Sequence, residues 1–243
     1  MIARHFGLMI NADVFEEVAM SVSLKILLRH HREVQQLEAI LFGQAALLHA
    51  NLSDEYAQRL YRDYLFLKEK YSFTDVHQRV QFLRMRPAAF PTIRLAQLAM
   101  LISSSPDLFS GAVDVESMDI IKEKLNLPAS DYWSTHFLFD EESPHRVKHP
   151  GEQLLQSVLV NSIVPFIYLY GECRGEEKYI ERALRWLREM VPEKNVVVKG
   201  FKALGIEAND AADTQALLEL KSRYCNERRC LECVVGGEVL RAR

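Results

Sequence analysis

Three guanidinium groups, Arg84, Arg86 and Arg94, fall within the stretch Phe82 to Gln97, FLRMRPAAFPTIRLAQ, among apolar neighbours and two proline breaks at Pro87 and Pro91. Arginine presents a planar fork of donors that stays charged, so it suits two-point recognition of a carboxylate or phosphate. Arg94 and Gln97 are three residues apart on a segment that otherwise reads as buried, which places both on one helical stripe. Glu38 shares a stripe with Leu41, Phe42 and Ala45 and is expected to be drawn inward. Two readings of Arg84, Arg86, Arg94, Gln97 and Glu38 follow. One is an anion site. The other is a structural polar hub in which the arginines pair with inward carboxylates such as Glu38, and we favour it, because partly buried arginines most often tie loops to helices.

A second group lies at the far end. Cys225, Cys230 and Cys233 stand as C-x4-C-x2-C, a spacing that overlaps the ligand spacing of plant-type iron-sulfur proteins and that suits zinc as well. A closed site needs four ligands, so Cys173 or His136 would complete it. Arg228 and Arg229 favour the thiolate form. Against this, free cysteine is commonly a small buried hydrophobe. His136, within YWSTHF, reads as a hydrogen-bonded core histidine, since no serine or cysteine near it in sequence makes a nucleophile pair. No glycine pattern of a Walker or Rossmann loop occurs.

The elements that must position these residues are helical. Apolar residues recur at three- and four-residue spacing through most of the chain, and no stretch shows convincing strand alternation. The expected architecture is all-α, an irregular bundle of about ten helices around one core with no significant β-sheet. Glu33 to His49 is apolar nearly all round and reads as central. Ser53 is expected to open an amphipathic helix with Tyr56, Leu60, Tyr61, Tyr64, Leu65 and Tyr71 on its inner face. A helical segment is expected from Val76 to Leu83, and Pro91 suits the first position of another helix. Leu154 to Tyr170 reads as a buried helix kinked at Pro165 and shorter than a membrane span. The polar loop 140–151 divides two helical halves of a single domain, 1–243.

With 243 residues, 49% of them hydrophobic, the chain can bury a sizeable core. A formal charge of -3 offers no global attraction to nucleic acid, so such binding requires a local basic patch. Residues 1–20 carry Asn11, Asp13, Glu16 and Glu17, which leaves no room for the apolar core of an export signal, and a cytoplasmic protein is expected.

The stretches EAILFGQA at 38–45, LRMRPAAFPTIRLAQLA at 83–99, YWSTHF at 132–137, VNSIVP at 160–165, PEKN at 192–195, DTQALLELKSRYC at 213–225 and CLEC at 230–233 resemble an uncharacterised bacterial family, domain of unknown function 2851. The resemblance implies longer members with a preceding segment whose GPDF-like and VELH-like patterns are similar to metal-dependent nucleases. On that footing this sequence looks like their helical C-terminal portion, without catalytic carboxylates. It departs from the family at Ala89, where an asparagine is expected before Phe-Pro. The reading that follows is a non-catalytic scaffold or binding domain associated with nucleic acid, the alternative being a zinc or iron-sulfur module built on the cysteines.

Overall fold

The computed structural model describes residues 1–241, which form two compact units divided between Ile163 and Val164. The division falls within a helical run and not at the loop 140–151.

The first unit contains helices α1 (Ile2–Phe6), α2 (Leu8–Met20), α3 (Leu24–Arg29), α4 (Val34–Gln44), α5 (Glu55–Tyr71), α6 (Pro91–Ser104), α7 (Leu108–Asp114) and α8 (Met118–Leu125). A short hairpin of β1 (His136–Leu138) and β2 (Glu141–Glu142) precedes α9 (Glu152–Val158). Helix α4 is the centre, with every residue from Leu37 to Gln44 buried, and it packs against both α5 and α6. Gly43 makes the α5 contact close: a Cβ there would fall 2.1 Å from the Tyr64 ring. Any larger residue would push the two helices apart.

Asp54 caps α5, its carboxylate accepting from the Tyr56 and Ala57 amides at 2.7 and 3.4 Å, and Ser72 ends it in the left-handed conformation. Ala57, Leu60, Tyr64 and Leu67 face inward. Leu65 is exposed and Tyr56, Tyr61 and Tyr71 are half-buried, so the inner stripe is rotated from the expected one. Gly43 explains this, since the site it opens accepts Tyr64 as the central residue. Pro91 occupies the first position of α6, whose residues Pro91 to Ala99 are all buried.

The expected helix from Val76 to Leu83 does not form. Between α5 and α6 the chain runs as an extended loop, closed by one tight turn at Pro87–Ala89. Its main-chain groups are answered by side chains of α2 and α4 instead of by their own carbonyls four residues back. This is tertiary override of a helical spacing that had no cap to enforce it.

A wide helical turn, Leu159–Ile163, follows α9 and leads into α10 (Val164–Arg174). The distortion therefore lies just before Pro165, where the missing N–H and the ring disfavour regular bonding to residue 161. The whole run Glu152–Arg174 has 23 residues and a mean hydropathy of 1.5 in its most apolar part, long and apolar enough by length and composition to cross a membrane, and 56% of that part is buried. The expectation that this stretch is too short is thus corrected. Interior burial on this scale is what a core helix shows.

The second unit holds α10, α11 (Glu177–Glu189), α12 (Val196–Ala203), α13 (Ala211–Glu219) and α14 (Val234–Arg241). Gly175 ends α10 with φ 67, and Gly171 lets α11 approach closely, a Cβ there lying 2.9 Å from Ile180. Asn195 caps α12 and Asp210 caps α13. The cysteine-bearing segment is followed by α14 and does not terminate the helical chain.

Candidate functional site

Glu38 is fully buried on α4. Its carboxylate accepts from the Tyr56 hydroxyl at 2.6 Å, the Ser130 hydroxyl at 2.7 Å and the Trp133 indole N–H at 3.2 Å. Burial raises its pKa above the ordinary carboxylate value despite those three donors. The expected pairing of Glu38 with an arginine is corrected: neutral donors hold this carboxylate, and among the described residues it forms no ion pair with an arginine.

Trp133 carries the network onward. Its ring stacks on Phe42 at 5.1 Å, and its carbonyl accepts from the Lys148 ammonium, which also lies 4.1 Å from the centre of the Phe137 ring. The Lys148 carbonyl accepts from the Gln97 amide at 3.0 Å, and the Gln97 oxygen accepts from Arg94 at 3.0 Å. Arg94 is 8% exposed and Lys148 6%, and neither has a carboxylate partner among the described residues. The Arg94 Nε is buried without an acceptor. Burial lowers the pKa of both cations. One acid and two cations are therefore buried along one connected run of hydrogen bonds that passes through the Trp133 and Lys148 main-chain carbonyls.

The hub is braced by a second cluster. The Tyr132 hydroxyl donates to Asp54 at 2.8 Å, and its ring stacks with Tyr56 at 4.2 Å and with His136 at 4.1 Å. His136 approaches Asp54 at 3.8 Å. The turn of the hairpin adds Asp140, which accepts from the Ser53 and Asp54 amides.

Arg84 and Arg86 lie elsewhere, exposed on the extended loop with Arg79. The loop is fastened at separate points. Gln44 donates to the Thr74 carbonyl at 2.8 Å, Glu17 accepts from the His77 and Gln78 amides, and Asn11 both accepts from the Gln81 N–H at 2.7 Å and donates to its carbonyl at 2.9 Å. Phe82 and Phe90 meet edge to face within the loop. Arg79, Arg84 and Arg86 make no ion pair among the described residues, and Arg84 sits at φ 61. The structure thus separates Arg94, inside, from Arg84 and Arg86, outside.

The profile of a family described as "Protein of unknown function (DUF2851)" matches residues 1–196. The chain belongs to that family. Nothing matches among curated proteins or among solved structures. The hub and the loop both lie inside the DUF2851 region, whereas the stretches 213–225 and 230–233 lie beyond it. In this DUF2851 member Cys173, Cys225 and Cys230 are exposed free thiols and Cys233 is half-exposed. Among the described residues no group of three or more His, Cys, Asp or Glu is arranged to hold a metal ion.

Sequence reasoning missed Tyr56, Ser130, Trp133 and Lys148 as members of the hub. Lys148 had no signal at all, standing in a polar stretch that reads as surface. Trp133 had one, since a buried indole needs an acceptor and Glu38 was the inward carboxylate available.

Proposed function

We propose that this chain is a helical binding module of the DUF2851 family that contacts the phosphate backbone of nucleic acid through the loop between α5 and α6. The observation that carries this reading is the combination of a fastened backbone with open charges: Arg79, Arg84 and Arg86 are exposed and make no ion pair among the described residues, although Arg79 lies near enough to Asp75 to help lower its pKa. A loop this long without secondary structure is usually a binding element, and fixing its main chain lowers the ordering cost of binding. The overall charge of -3 then keeps the attraction local to the loop.

Fluorescence anisotropy with labelled duplex and single-stranded DNA at rising salt tests it. Three phosphate contacts predict a slope of log affinity against log salt of about -2 to -3, and replacing Arg84 or Arg86 by Gln should reduce the slope by about 1 each. No measurable binding at low salt, or a slope indifferent to both substitutions, would discard the reading.

A further inference from the structure

A cleft of about 500 Å³ in the first unit, lined by Arg4, His5, Leu8, Met9, Gln153 and Ser157 among others, takes no part in the loop or the hub. Here α1 packs against α9 and brings together two residues 152 positions apart: the Ser157 hydroxyl lies 3.1 Å from His5 Nδ1. We propose that Ser157 and His5 form a nucleophile and general-base pair that hydrolyses small uncharged esters bound in this cleft.

The pair is held by a single residue of the wide turn after α9. The Asn161 side chain donates to the Ser157 carbonyl at 3.0 Å, and the Asn161 main chain lies near enough to the His5 ring to act on its pKa, in the raising direction. Pro165 has no N–H to offer the Asn161 carbonyl, which is the usual partner of the residue four further on. Wide turns of this kind occur often at functional sites. Burial, with the nearby positive charge of Arg4, lowers the His5 pKa, which favours the neutral ring, the form a base requires. Arg4 is itself neutralised by Asp13 and Glu16 at 2.6 and 2.7 Å. Gln153 stands one turn before Ser157 on the same helix face, exposed at the cleft. Leu8 and Ala12, both half-buried, supply apolar surface for the acyl group.

In the acylation step the Ser157 oxygen attacks the ester carbonyl carbon as its proton passes to His5 Nδ1, and the carbonyl electron pair moves onto oxygen. Collapse breaks the bond to the leaving alcohol, which takes the proton from His5 and leaves an acyl-serine. Water then attacks with His5 again as base. A carboxylic acid departs and Ser157 regains its proton.

Treatment of the full chain with a fluorophosphonate, followed by peptide mass analysis, tests this without any variant. One adduct on Ser157 is expected, together with turnover of p-nitrophenyl acetate. The adduct should vanish in Ser157→Ala, and labelling should slow by about 100-fold in His5→Gln, which cannot act as a base. Imidazole added to His5→Gly should restore part of the rate. Asn161 is a positioning residue, so Asn161→Ala should lower kcat for the acetate ester while KM stays near that of the wild type. No adduct on Ser157 in the wild type, labelling spread over several serines, or equal rates in wild type and His5→Gln would overturn the proposal.

Discussion

The hub around Glu38 and the loop between α5 and α6 handle charge in opposite ways. At Glu38 the charged side chain is inside, and three neutral donors converge on its two oxygens. On the loop the side-chain charges are outside and it is the main chain that is answered, by Asn11, Glu17 and Gln44. The first arrangement specifies one packing of α4, α5 and the Trp133 turn. The second fixes a backbone and leaves its arginines available. Arg94 belongs to neither pattern, being a buried cation with one good acceptor and an unanswered Nε.

The largest effect should come from removing the acceptor at the hub. Glu38→Ala leaves a tyrosine hydroxyl, a serine hydroxyl and an indole N–H without it; Tyr56 and Ser130 are half-buried and water can answer them in part, so at the low end of roughly 1–3 kcal/mol for each orphaned group a loss of about 3–5 kcal/mol is expected from urea unfolding. Glu38→Gln keeps the shape and separates charge from hydrogen bonding. Because burial raises the Glu38 pKa, the folded state holds its proton more tightly than the unfolded chain. The stability this linkage contributes is full below the ordinary carboxylate range and is lost as pH rises through the raised folded value. Unfolding midpoints followed from acid to neutral pH should therefore slope downward from this cause in the wild type, with that component gone in Glu38→Gln. An unchanged pH dependence would mean Glu38 is not the group responsible.

Arg94→Met is the next in size and opposite in sign. A buried guanidinium without a carboxylate is costly to desolvate, so the methionine variant should be more stable by about 1–2 kcal/mol. A loss of similar size would show that Arg94 has an answering group in solution and would bring it back to the hub's pattern.

Arg84→Gly sharpens the contrast at the loop. A non-glycine residue in the left-handed region costs on the order of 1 kcal/mol, so this substitution should leave the fold equal or slightly more stable while it weakens DNA binding. Stability and binding moving together would mean that Arg84 is structural. Smallest of all, Cys230→Ser alters an exposed thiol and should leave the thermal midpoint and the zinc and iron content of purified protein unchanged. Loss of bound metal in that variant would instead revive a ligand role for the cysteines.

The helical class of the fold is written locally. Three- and four-residue spacing and Pro91 at the start of α6 both act over a few residues, so they can be read without knowing what lies across the core. The same locality misleads at Val76–Leu83, where a spacing compatible with a helix lost to side chains from Asn11, Glu17 and Gln44, up to about seventy positions away.

Glu38 shows where the boundary falls. Its place on an apolar stripe determined that it would be inside, because a helix fixes which residues share a face. What would meet it there was decided by tertiary structure alone: Tyr56, Ser130 and Trp133 come from elements joined only through packing, the farthest 95 residues on. The same holds for Lys148, polar in its own segment yet buried beneath Gln97 and Trp133, and for His5 and Ser157, which meet only when α1 settles on α9. Periodicity encodes a face, whereas a partner on another element is encoded only in how the faces assemble.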